Sequence, residues 1–210
     1  MTIKLILFDF DGTLADAFPI ILKNVNELSE KYKYNKIKAS EISGLKDMSL
    51  KEILKKYNIS LFKFLFLTYD MKKRINKDKS KIKIFQNIKP VVKELSKKYK
   101  IGIITKNKED IVREILKKEK IESYFNFVIT DKTIFKKEKT IKKTIKEHKL
   151  NNDEVIYIGD ERRDVVSCKK ANVKVISVTW GFNSKKGLQK ENPDYLVDKP
   201  KEILTIIKKI

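Results

Sequence analysis

Asp9 and Asp11 stand two residues apart in Phe8-Asp9-Phe10-Asp11-Gly12-Thr13-Leu14, directly after an apolar run over residues 3–8. While the chain is still extended, both carboxylates leave it on the same side. Like charges that close cannot both ionise cheaply at a buried strand end without a cation or a shared proton. Mg²⁺, a hard cation that takes one or two carboxylates together with phosphate oxygens, answers that need. The chemistry this spacing suggests is therefore phosphoryl transfer. The competing reading is a strand end with two solvated acids at a turn made by Gly12 and Thr13. The buried strand immediately before them favours a bound cation.

The elements that must hold such a site follow from apolar periodicity. Short β-branched runs at residues 3–8, 101–105, 127–129, 155–158 and 174–178 read as buried strands, with an edge strand at 195–197. Helices alternate with them: one beginning near Pro90, then 109–118, about 138–148 and 200–208. Asn107 is expected to cap the helix at 109–118. The alternation implies an α/β fold, a doubly wound parallel sheet of Rossmann-like type. Residues 15–82 break the pattern. Pro19 suits an early helical turn, and Ile20, Ile21, Val25 and Leu28 recur at helical spacing. A loop with Gly44 in its middle is expected over 40–48, and Ser49 with Glu52 reads as a capping box. The aromatic run at 61–67 is expected to form the core of a small helical insertion folded over the site.

Ligands bind such sheets beyond the carboxyl ends of the strands. The groups placed there are Asp9 and Asp11, then Thr105 at the second strand, then Asp160 and Asp164 in Gly159-Asp160-Glu161-Arg162-Arg163-Asp164. Lys136, Lys137 and Lys139 open the helix before that last strand. His148, the one histidine, sits among lysines and is expected to be solvated.

At 210 residues the chain can build one sizeable core with a smaller second unit. Its formal charge of +21 arises from 49 Lys and Arg against 28 Asp and Glu. That excess permits nucleic-acid binding, or an enzyme acting on nucleic-acid ends. The lysines are instead scattered along nearly every segment, with few arginines and no aromatics interleaved with one basic cluster. The expectation is accordingly a small phosphorylated substrate and no nucleic-acid partner. Single Cys168 allows no internal disulfide and fits a reducing, cytoplasmic setting. Neither a signal peptide nor a membrane span is expected.

Taken in order, these motifs resemble the haloacid dehalogenase-like superfamily of hydrolases. Its signature is Asp-x-Asp-Gly-Thr, a Ser or Thr ending the second strand, a lysine, and Gly-Asp-x-x-x-Asp, matched here by Asp9 to Thr13, Thr105, Lys137, and Asp160 with Asp164. The resemblance implies a core domain at residues 1–14 and 83–210 and a helical cap domain at 15–82. It also implies that Asp9 attacks phosphorus to form an aspartyl-phosphate, while Asp11 serves as general acid and then base. Mg²⁺ would be held by Asp9, Asp160 and the main-chain carbonyl of Asp11, with Asp164 binding the metal directly or orienting its waters. Gly12, Thr13, Thr105, Lys106, Asn107 and Lys137 would surround the phosphoryl group. Separately, its charge and its place in the loop at 40–49 suggest that Lys46 reaches an anionic part of the substrate. The family often carries Gly-Lys-Pro where this chain has Lys136-Lys137-Glu138-Lys139, so Lys139 competes with Lys137 for the site. Asp11 argues against dehalogenation, which lacks that acid, and leaves phosphomutase as an alternative. The resemblance is greatest to the phosphoglycolate phosphatase branch, as a monomer or homodimer.

Overall fold

The computed structural model describes residues 2–133 and 136–210. The first strand, β1 (Leu5–Phe8), is buried at all four positions. Its side chains alternate: Leu5 and Leu7 enter one apolar cluster, Ile6 and Phe8 another on the opposite face. A strand covered on both sides is what a continuous apolar run encodes.

The chain then forms β2 (Ala15–Asp16), α1 (Phe18–Leu28), α2 (Ile42–Lys46), α3 (Leu50–Lys56), α4 (Leu61–Asp78) and β3 (Lys83–Ile84). From there it alternates: α5 (Ile88–Ser96), β4 (Lys100–Thr105), α6 (Glu109–Lys118), β5 (Phe127–Thr130), α7 (Lys137–Glu147), β6 (Val155–Gly159), α8 (Arg162–Ala171), β7 (Lys174–Val178), α9 (Lys185–Gln189), β8 (Tyr195–Val197) and α10 (Pro200–Lys209). Six strands make one parallel sheet in the order β5-β4-β1-β6-β7-β8. The chain runs outward from β1 through β4 to β5, then returns to β1's other side for β6. Strand order therefore reverses at β1, and the carboxyl ends of β4, β1 and β6 lie side by side where ligands bind such sheets.

Helices cover both faces. Val91, Val92, Ile111, Ile115, Ile203 and Ile207 from α5, α6 and α10 pack on the Ile6–Phe8 face. Ile141, Ile145, Val165 and Cys168 from α7 and α8 pack on the other. Phe8 is fully buried; truncating such a side chain to Ala costs roughly 3–5 kcal/mol. Cys168 is likewise a buried packing residue.

The helices between β2 and β3 gather around a cluster of their own: Leu28, Tyr34, Leu45, Tyr57 and Leu67. Antiparallel pairing of β2 with β3 ties the two ends of this insertion together. Ser49 and Glu52 exchange the expected reciprocal capping bonds. Three details differ from expectation. The stretch expected as a loop contains α2, and Gly44 lies inside that helix. The aromatic run on α4 is not a core: Phe62 and Phe66 are 70% and 51% exposed, and Leu67 supplies the buried contact. His148 is half-buried and stacks on Phe127 with ring centroids 4.7 Å apart. Among the described residues no helix is long and apolar enough to cross a membrane.

Candidate active site

Asp9 follows β1 directly, and its backbone N–H donates to Ile158 of β6, so the central sheet pairing runs up to the carboxylate. The chain then turns sharply. Gly12 adopts φ +81° and donates its N–H to the Ala15 carbonyl. A side chain at Gly12 would meet strain, and its Cβ would stand 2.2 Å from Asp160 Oδ2. Thr13, carried back by this turn, donates its hydroxyl to Asp160 Oδ1 over 2.7 Å. Phe182 N–H donates to Asp160 Oδ2 at 2.7 Å. Asp160 is thus clamped between the first loop and the loop after β7.

Asp164 lies in the first turn of α8, where it accepts from Glu161 N–H at 3.1 Å in a capping box. Asp9, Asp160 and Asp164 each offer a carboxylate oxygen, and these three oxygens all lie within 4.8 Å of one another. All three residues are buried. The sequence expectation that distant acids meet around one point is therefore met in space. Three buried carboxylates at that spacing are the donor set of a hard divalent cation, and the residues present fit Mg²⁺. The Asp11 carboxylate stands outside this trio, leaving its main-chain carbonyl as the group expected at the metal.

Lys137, the first residue of α7, reaches into the same cluster. Its Nζ donates to Asp9 Oδ2 at 3.0 Å, Asp164 Oδ1 at 2.5 Å and Tyr157 Oη at 3.0 Å. Lys139 is exposed, so of the two lysines left open it is Lys137 that the fold brings to the acids. Burial works against its ammonium, but Asp164 and Asp9 outweigh burial and hold its pKa well above the usual lysine value. Tyr157, fully buried on β6, was not foreseen; inside a strand it reads only as another large apolar residue.

Asp11 turns away from the trio. Its Oδ2 accepts from Asn107 Nδ2 at 2.8 Å. Asn107 does not cap α6 as expected: Lys108 holds that position, with no side-chain cap. The competing partner is a carboxylate that the sequence places far away. Burial raises the Asp11 pKa to about 7, Asp9's charge adds to this, and the Asn107 bond opposes it. Burial also raises Asp9, to about 6, with Lys137 pulling it down. Burial, then Glu161, Asp9 and Asp164, push Asp160 well above the usual carboxylate range.

Thr105 ends β4, fully buried, its Oγ1 accepting from Asn107 N–H at 3.1 Å. Lys106 donates to Asp131 Oδ2 at 2.5 Å, and Thr133 and Thr140 hydroxyls bond the other oxygen of Asp131. Asp131 was also missed; an acid just past a strand carries no partner signal of its own. Lys46 lies at the end of α2 and donates its Nζ to the Gly181 carbonyl at 2.8 Å, rather than standing free for an anion. It still borders a cavity shared with Asp11, Lys106, Asn107, Arg163 and Phe182.

Comparison with known proteins agrees with this geometry. The chain is 25% identical over 203 residues to a phosphoglycolate phosphatase from Synechococcus elongatus, covering 96% of each. It is 26% identical over 214 residues to the pyrophosphatase PpaX of Bacillus mycoides, covering 100% of this chain and 99% of that one. A solved haloacid dehalogenase-like family hydrolase from Streptococcus pneumoniae superposes with a TM-score of 0.80 at 24% identity, over 97% of this chain and 98% of that one. The family model for haloacid dehalogenase-like hydrolases matches residues 6–178. With its trio of acids, bridging lysine and six-stranded parallel sheet, this chain belongs to the haloacid dehalogenase-like hydrolase family.

Proposed function

We propose that the protein is a Mg²⁺-dependent phosphatase that hydrolyses small phosphate monoesters through a phosphorylated Asp9. The observation that carries this reading is the meeting of Asp9, Asp160 and Asp164 oxygens within 4.8 Å, with Lys137 Nζ on two of the three. Relatives named phosphatases support it.

In this reading a carboxylate oxygen of Asp9 attacks phosphorus and the ester oxygen leaves. Asp11, whose raised pKa keeps a proton near neutrality, donates that proton to the departing oxygen. Asp11 then takes a proton from water as the water attacks phosphorus, which frees phosphate and restores Asp9. Splitting one displacement into two lets the same acid serve both halves. Mg²⁺, held by Asp9, Asp160, Asp164 and the Asp11 carbonyl, would neutralise charge on the nucleophile and the phosphoryl oxygens. Lys137 adds a positive charge at the same point, and the Thr105 hydroxyl with nearby main-chain N–H groups would hold the remaining oxygens. Residues 15–82 act as a cap over this centre, and 1–14 with 83–210 as the catalytic core.

A colorimetric screen of phosphate esters, with phosphoglycolate and pyrophosphate included, tests the reading. Phosphate release that needs Mg²⁺ is expected. Full activity after exhaustive chelation contradicts the metal, and transfer of phosphate between hydroxyls without release marks a phosphomutase instead.

A further inference from the structure

The cavity beside Asp11 has a volume of about 390 Å³, within the usual range for small-molecule sites. Its walls are mostly hydrocarbon. Phe18, Ile21 and Val25 come from α1, Leu54 from α3, and Phe64 and Met71 from α4. Each is only partly buried by the protein itself, so each still offers apolar surface to an occupant.

Two cations at the catalytic end are already paired with acids, and a third with a carbonyl. Lys46 donates to the Gly181 carbonyl, Lys106 to Asp131 and Arg163 to Glu161. Lys72 borders the cavity from an exposed position on α4. A leaving group bearing a carboxylate or a second phosphate that drew on Lys106 or Arg163 would strand a partly or fully desolvated acid. A hydrocarbon leaving group costs no such exchange and gains from burial against the walls.

We propose that the substrate is the monophosphate of an apolar alcohol or phenol, its phosphoryl group on Asp9 and its hydrocarbon in the cavity between α1, α3 and α4. This rests on the phosphatase reading and specifies the ester it acts on.

The test is a series of n-alkyl phosphates from ethyl to octyl, assayed with Mg²⁺ beside phosphoglycolate and inorganic pyrophosphate. The expected kcat/KM rises about fourfold per methylene until the cavity is filled, and the best alkyl ester exceeds both anionic substrates by at least about tenfold. Turnover that is flat or falling along the series, or led by an anionic substrate, overturns the proposal and leaves the phosphatase reading standing. No phosphate release from any ester overturns both. Leu54→Glu is expected to flatten the series; an unchanged octyl-to-ethyl ratio in a folded variant overturns the assignment of the cavity. Should that variant not fold, competitive inhibition of the unaltered enzyme by alkyl phosphonates reads the same dependence. A Ki that falls with chain length supports the proposal, and a constant Ki overturns it.

Discussion

Asn107 Nδ2 donates to Asp11 Oδ2 over 2.8 Å, across 96 residues of chain. The bond fixes the carboxyl that the proposed mechanism uses as acid and base, and it favours the ionised form. Asn107→Ala should lower kcat by about tenfold or more while changing KM little. Because an acceptor bond that favours the carboxylate is lost, the Asp11 pKa should rise and the alkaline limb of the kcat profile should move to higher pH. A lower kcat with an unmoved profile would mean that Asn107 serves packing alone.

Lys137 and Lys139 separate by burial. Removing Lys137 leaves Asp9 and Asp164 facing each other inside the protein without the cation between them. Lys137→Ala should cost about 3–5 kcal/mol of stability and abolish turnover, with Mg²⁺ restoring part of the melting temperature. Lys139→Ala, on an exposed face, should change stability by less than about 0.5 kcal/mol. Thermal melts of both variants, with and without Mg²⁺, check this; equal effects would return the assignment to either lysine.

Gly12 and Gly44 should respond in opposite directions to the same substitution. A Cβ at Gly12 would lie 2.2 Å from Asp160 Oδ2 on a backbone at φ +81°, so Gly12→Ala should weaken Mg²⁺ binding by about tenfold or more. Gly44 sits within α2 and a Cβ there meets nothing within 4 Å. Gly44→Ala should be neutral or stabilising by up to about 1 kcal/mol. Calorimetric titration with Mg²⁺ and thermal melts measure the two arms.

The metal-free protein should lose stability as pH rises from 5 to 7.5. Asp9 and Asp11 are raised from 3.8 to about 6 and about 7, so between those values the folded state holds more protons than the unfolded one. Stability then falls with pH across that window. Mg²⁺ binds the ionised carboxylates of the folded state and should raise the melting temperature more at pH 7.5 than at pH 5. A chelated protein whose melting temperature rises over this range would contradict the burial of these acids.

The sheet was legible because its strands are short apolar runs, the central ones covered on both faces, as Leu5–Phe8 is. The acids were legible because Asp-x-Asp and Gly-Asp-x-x-x-Asp sit where those strands stop. The β2–β3 pair was not legible, since two-residue strands are too short to show alternation. Asn107 was misread for a physical reason: next to a helix start an asparagine reads as a cap, and nothing local tells that Asp11 will be its partner. The α4 aromatics were misread because apolar density signals burial only when a partner surface exists, and Phe62 and Phe66 pack on each other with ring centroids 4.9 Å apart at the surface. Tyr157 and Asp131 act through Lys137 and Lys106, and such tertiary supports leave no pattern along the chain.

The central claim is that Asp9 becomes phosphorylated. Rapid acid quenching of the enzyme with a turned-over ester labelled in its phosphoryl group, followed by peptide mass spectrometry, tests it directly. Label on the peptide at Asp9, decaying as free phosphate appears and missing from Asp9→Asn, is the predicted result. Turnover near the unaltered rate by Asp9→Asn, or label on another residue, would contradict it.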